Sequence, residues 1–155
     1  MNRYIRAALA VAMGLGVLAL AGCSSAKADS GAMKLPKVWG YVAGEKYAQL
    51  EVDDQSASGT IVIKRALAPV DSWIVVHIDD KGMPGDRVGL EHISAGQSRD
   101  VKVALKGNPP RVIVAVHADK GTAGKFDFDM MKKAESADRP LFVNEMELAK
   151  SIALN

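Results

Sequence analysis

From Ala48 onward the apolar positions of the chain fall either at every second residue or in short unbroken runs bounded by Gly, Pro and Asp. A period of two is what a strand with one face in a core produces, and a short run of β-branched residues between turn signals gives a strand covered on both faces. Strands are therefore expected at 48–53, where Leu50 and Val52 alternate with Glu51 and Asp53, and at 60–67, 72–79, 87–93 and 99–105. The last of these alternates Val101, Val103 and Leu105 against polar neighbours, as a strand at the edge or surface of a sheet does. The segment 111–118 is almost wholly apolar and belongs at the centre of a sheet. A further strand is expected to begin at 125–128, while 130–139 is a charged excursion that forms a short helix or a loop. Phe142 and Val143 lie in another strand, and 146–154 suits either a helix or a terminal strand. Residues 38–47, with Trp39, Tyr41 and Tyr47, form a lead-in over one end of the core.

The stretch SWIVVHIDDKGMPGDRVGL, from Ser72, organises the rest, because its pattern returns as RVIVAVHADKGTAGKFDF. His77, Asp79, Lys81, Gly82 and Gly85 are echoed by His117, Asp119, Lys120, Gly121 and Gly124. Both stretches read as hairpins, since Gly-bearing loops of a few residues join antiparallel strands. Ile74, Val76, Ile78, Val112, Val114 and Val116 are the expected core.

Short strands with turn signals every 8 to 12 residues point to an all-β chain: a single antiparallel β-sandwich of about seven strands, immunoglobulin-like or cupredoxin-like. A parallel βαβ arrangement is disfavoured, because no helix-period segment separates the strong strands.

The first residues follow a different pattern. Arg3 and Arg6 precede an apolar run over 7–20, and Leu20-Ala21-Gly22-Cys23 looks like a bacterial lipobox. Residues 1–22 are thus expected to be a cleaved lipoprotein signal peptide, with Cys23 carrying the acyl chains. Residues 23–37 are the lipidated Cys and a flexible tether, and 38–155 the sandwich domain. Each buried CH₂ contributes about 0.8 kcal/mol, so several chains hold such a protein on a bilayer. Ser24 is not the Asp that resembles an inner-membrane retention signal, which favours the outer membrane where there are two.

Cleavage also changes the charge. It removes two Arg and no acid, so the 20 Lys and Arg set against 18 Asp and Glu fall to 18 against 18. A near-neutral chain argues against a nucleic-acid partner. Cys23 is the only Cys, which leaves no disulfide and no thiol catalyst in the domain. About 115 residues suffice for one core and are too few for two.

The pieces AQLEVDDQSASGTIVIKRA, WIVVHIDDKGMPGDRVGLEHISAGQSRDVKVAL and VIVAVHADKGTAGKFDFD, following an export signal, resemble an uncharacterised domain family. Its members are exported bacterial proteins and, as repeated units, haloarchaeal surface proteins. The resemblance spans about 48–154 and implies a small β-sandwich. It implies no activity and carries over no functional residues.

His77 and His117 are the most suggestive pair, each ending an apolar strand with an Asp two residues on. Were the strands neighbours in register, His77, Asp79, His117 and Asp119 could hold a divalent metal. The preferred reading is that each His caps its strand and each Asp supports its own turn, because duplication of a hairpin explains the repeat without a ligand. Register adds to this: His77 shares a face with Trp73 and Val75, His117 with Ile113 and Ala115, and the pattern alone does not join them. A blue-copper site lacks its thiolate, a copper site through Met83, Met130 and Met131 competes with gap-filling, and Asp119, Asp127 and Asp129 lack EF-hand spacing.

No G-x-S-x-G, phosphate-cradling Gly loop, H-E-x-x-H or Cys-His pairing is present. The sequence thus leads to a non-enzymatic, lipid-anchored envelope or surface module that binds a protein or polymer. No cofactor is expected. The alternative is an exported metal-binding or redox-accessory domain using His77 and His117.

Overall fold

The computed structural model describes Lys37, 39–56 and 59–155. The expected signal peptide, Cys23 and the tether up to residue 36 lie outside the described residues. Strands succeed one another in the order Tyr41–Val42 (β1), Gln49–Glu51 (β2), Thr60–Ala68 (β3), Ser72–Asp80 (β4), Met83–Ile93 (β5), Gly96–Ala104 (β6), Arg111–Ala118 (β7), Arg139–Val143 (β8), Met146–Glu147 (β9) and Ala149–Ala153 (β10).

They form two sheets. The larger runs β1-β8-β7-β4-β5, with β10 also paired to β7 and β9 to β8, and the smaller runs β2-β3-β6. All pairings between these strands are antiparallel except that of the two-residue β1 with β8. Ile74, Val76, Val112, Val114, Val116 and Ile152 of the large sheet meet Ile61, Ile63 and Val103 of the small one, all of them fully buried. Ile78, expected with them, is only partly buried at the edge of this core.

β4 and β5 are the hairpin that the sequence announced, but the turn is tighter. Only Lys81 and Gly82 lie between the strands, with φ of 55° and 87°. Positive φ at both central residues matches the right-handed twist of the arms, and Gly takes the second place without a Cβ clash. Met83, Pro84 and Gly85 therefore belong to β5. Pro84 is tolerated because β5 is an edge strand, where a missing N–H costs no ladder bond. Gly89 brings the two sheets together at a corner: a Cβ there would lie 3.0 Å from Val103 and 3.1 Å from Leu105 and Val76.

The echo is not a second hairpin. No strand forms at 125–128; after β7 the chain runs irregularly until β8, with a single 3-10 turn at Ala134–Ser136. The reason lies in its carboxylates. Asp138, fully buried, accepts hydrogen bonds from the backbone N–H of Lys120 (2.8 Å), Gly121 (3.4 Å) and Asp127 (2.9 Å). Asp127 in return accepts from the N–H of Asp138 and Thr122. These bonds take the donors that a strand would need for its ladder. Arg139, also buried, donates to the carbonyls of Asp129 and Lys132 and ties down the far half of the loop. The end of the chain, ambiguous in sequence, is strand: β10 fills the rest of the β7 edge, with Ile152 opposite Val112.

Candidate outer-face groove

The large sheet has a second buried face. Residues directly opposite on paired strands point the same way, and β4 and β7 pair Trp73 with His117, Val75 with Ala115 and His77 with Ile113. The faces that the sequence left unconnected are thus one face, turned away from the sandwich core. What covers it is the loop 119–138. Phe126 packs edge-on against Trp73 (centroids 5.8 Å apart), and Phe126 and Phe128 lie 5.8 and 5.4 Å from the His117 ring.

Under this roof the polar groups are only partly satisfied. His117 is 4 % exposed and its Nδ1 has no hydrogen-bond partner; the Nε1 of Trp73 has none either. Burial, aided by the nearby His77, pushes the His117 pKa down to about 3, so its ring is neutral at ordinary pH. His77 donates from Nδ1 to the Gly85 carbonyl at 2.9 Å.

A third histidine, not singled out in the sequence, completes the cluster. His92 stands opposite Trp73 on β5, their rings 4.7 Å apart, and its Nε2 donates to Asp119 at 3.2 Å. Its position on the edge strand carries no local signal, since the contact with Asp119 depends on the β5-β4-β7 order.

The two Asp residues serve structure. Asp79 accepts from Ser151, from the N–H of Gly82 at 2.6 Å and from Arg111, and these partners, Ser151 first, lower its pKa. Asp119 accepts from the N–H of Gly124 at 2.7 Å, while Asp129 accepts from that of Met131. Neither Asp79 nor Asp119 bonds the His two residues before it. Among the described residues no three His, Cys, Asp or Glu side chains gather as a metal would require.

Beside the roof a groove of about 650 Å³ opens along the outer face. Its floor is Ile113, Ala115 and His117; one wall is His77 of β4 with Met83 and Pro84 at the start of β5. Phe128 and Met130 overhang it, while Trp39, Phe142 and Glu147 close the other side. The large apolar side chains exposed among the described residues are Trp39, Met83, Phe128, Met130, Met131 and Met146. Four of them line the groove, and the other two are chain neighbours of Met130 and Glu147.

A family model described as a domain of unknown function, DUF7282, matches residues 48–153. The chain belongs to that family. No curated protein and no solved structure matches it. The DUF7282 match starts at Ala48 and takes in β2 to β10, hence the floor, roof and β5 wall of the groove; Trp39 precedes it. The copper candidates of this DUF7282 domain are divided: Met83 and Met130 line the groove together with His77 and His117, whereas Met131 is 94 % exposed.

Proposed function

We propose that this DUF7282 chain is a lipid-anchored, non-enzymatic module of the cell envelope that binds a partner protein through the outer-face groove. The observation that carries this reading is the gathering of exposed aromatic and Met side chains around one concavity. Apolar patches of that kind on a small domain mark interaction sites, and a concavity of several hundred Å³ lined by rings with a few polar groups is where ligands are taken. The lipobox supplies the anchor, and the segment before Lys37 gives the domain its reach from the bilayer.

A photo-crosslinking amino acid placed at Met130, on the groove, and separately at Lys102, on the small sheet, tests the reading in intact envelopes. Adducts are expected from position 130 and not from 102. Adducts from 102 alone, or from neither, contradict it.

A further inference from the structure

The groove is selective in charge as well as apolar. Among the described residues that line it there is no Lys, no Arg and no Asp; its single ionisable acid is Glu147, at the rim. Its two imidazoles add no positive charge when neutral, and His117 is held in that form. The walls carry three aromatic rings, those of Trp39, Phe128 and Phe142. An aromatic face attracts a cation, and a carboxylate beside it adds to that attraction.

Basic side chains of this protein already take such positions. Lys37 holds its ammonium 5.5 Å from the centroid of Phe142, a groove wall, and Arg87 holds its guanidinium 4.7 Å from that of Phe126, on the roof. Of these two rings only Phe142 lines the groove, and the basic side chain it carries is a lysine.

Building on the reading that the groove is the binding surface, we propose that its occupant is a lysine side chain of a partner protein. The four methylenes would lie along Ile113, Ala115 and Met130, with the ammonium over the aromatic wall and toward Glu147. Lysine suits the site because its methylene stem buries in apolar surroundings while its charged head stays at the rim.

The test uses blocked tripeptides Ala-Lys-Ala, Ala-norleucine-Ala and Ala-Glu-Ala, titrated into the full mature chain with backbone amide shifts as the readout. The Lys peptide is expected to shift Ala115 and Met130 saturably and to bind about fivefold or more tighter than the norleucine peptide. Glu147→Gln should reduce that preference to less than about twofold, and Lys37→Met, which vacates Phe142, should leave it intact or enlarge it. Equal or tighter binding of the norleucine or Glu peptide, shifts confined to residues away from the groove, or no saturable shift overturns the lysine assignment. Crosslinks from Met130 together with no lysine preference would leave the groove as the binding surface and remove only the identity of its occupant.

Discussion

Trp73 and His117 face each other across β4 and β7, and each buries a ring nitrogen with no hydrogen-bond partner. An unsatisfied buried polar group costs about 1 to 3 kcal/mol, and an apolar group of similar volume avoids that cost. His117→Leu is therefore expected to leave stability at neutral pH unchanged or to raise the melting temperature by a few degrees. A loss beyond about 1 kcal/mol in urea unfolding would mean that the imidazole has a partner after all.

The sandwich core responds in the opposite sense. Ile74 is fully buried between the sheets and sits opposite Val116. Ile74→Ala should destabilise the domain by about 2 to 5 kcal/mol, whereas Met131→Ala, at a side chain 94 % exposed, should stay within about 0.5 kcal/mol. Similar melting of the two variants would contradict the assignment of the inner face.

Asp138 pins the roof through three backbone N–H groups. Asp138→Ala leaves those donors unpaired and should expose the segment 119–138 to proteolysis first, ahead of the strands. Cleavage elsewhere, or a resistance equal to that of the parent chain, would show that the loop is held by other means.

The strands were legible in the sequence because their signals are local. Alternation at Leu50 and Val52, the apolar run 111–118 and the Gly-bearing turn after Asp79 each report on their own few residues, although the sequence left that turn longer than the two residues Lys81 and Gly82. The roof was not legible. Phe126, Asp127 and Phe128 alternate like a strand, yet the Asp is taken by Thr122 and Asp138 and the rings by Trp73 and His117, from distant parts of the chain. The histidine faces followed the same rule. Alternation placed each correctly within its strand, but only the pairing of His77 with Ile113 and of Trp73 with His117 makes the two faces one.

That pairing also sets an expectation for metals. The backbones of His77 and His117 lie four register positions apart on the outer face, and among the described residues no third His, Cys, Asp or Glu gathers with them as a metal would require. Added zinc should leave the melting temperature unchanged. A stoichiometric rise abolished by His117→Ala would restore the metal-binding reading.

The lipid anchor proposed at Cys23 leads to the expectation that Cys23→Ala blocks signal-peptide processing and changes membrane fractionation. Normal processing to a soluble form of the parent chain would remove the anchor.

The seal that the loop 119–138 places on the outer face both shapes the groove and keeps His117 uncharged. Proton titration of the His117 imidazole by NMR tests it directly. A folded-state pKa near 3 against 6.5 for a free histidine means that the unfolded chain binds the extra proton between those values. The domain's stability relative to His117→Leu is thus independent of this titration above pH 6.5 and declines from there toward pH 3, by about 1.4 kcal/mol per pH unit. His117 resonances that stay at their neutral positions as the pH falls from 7 to 4.5, while those of a free histidine standard move, are the result expected; a His117 that titrates near 6.5 in the folded protein would contradict the sealed face and the groove built on it.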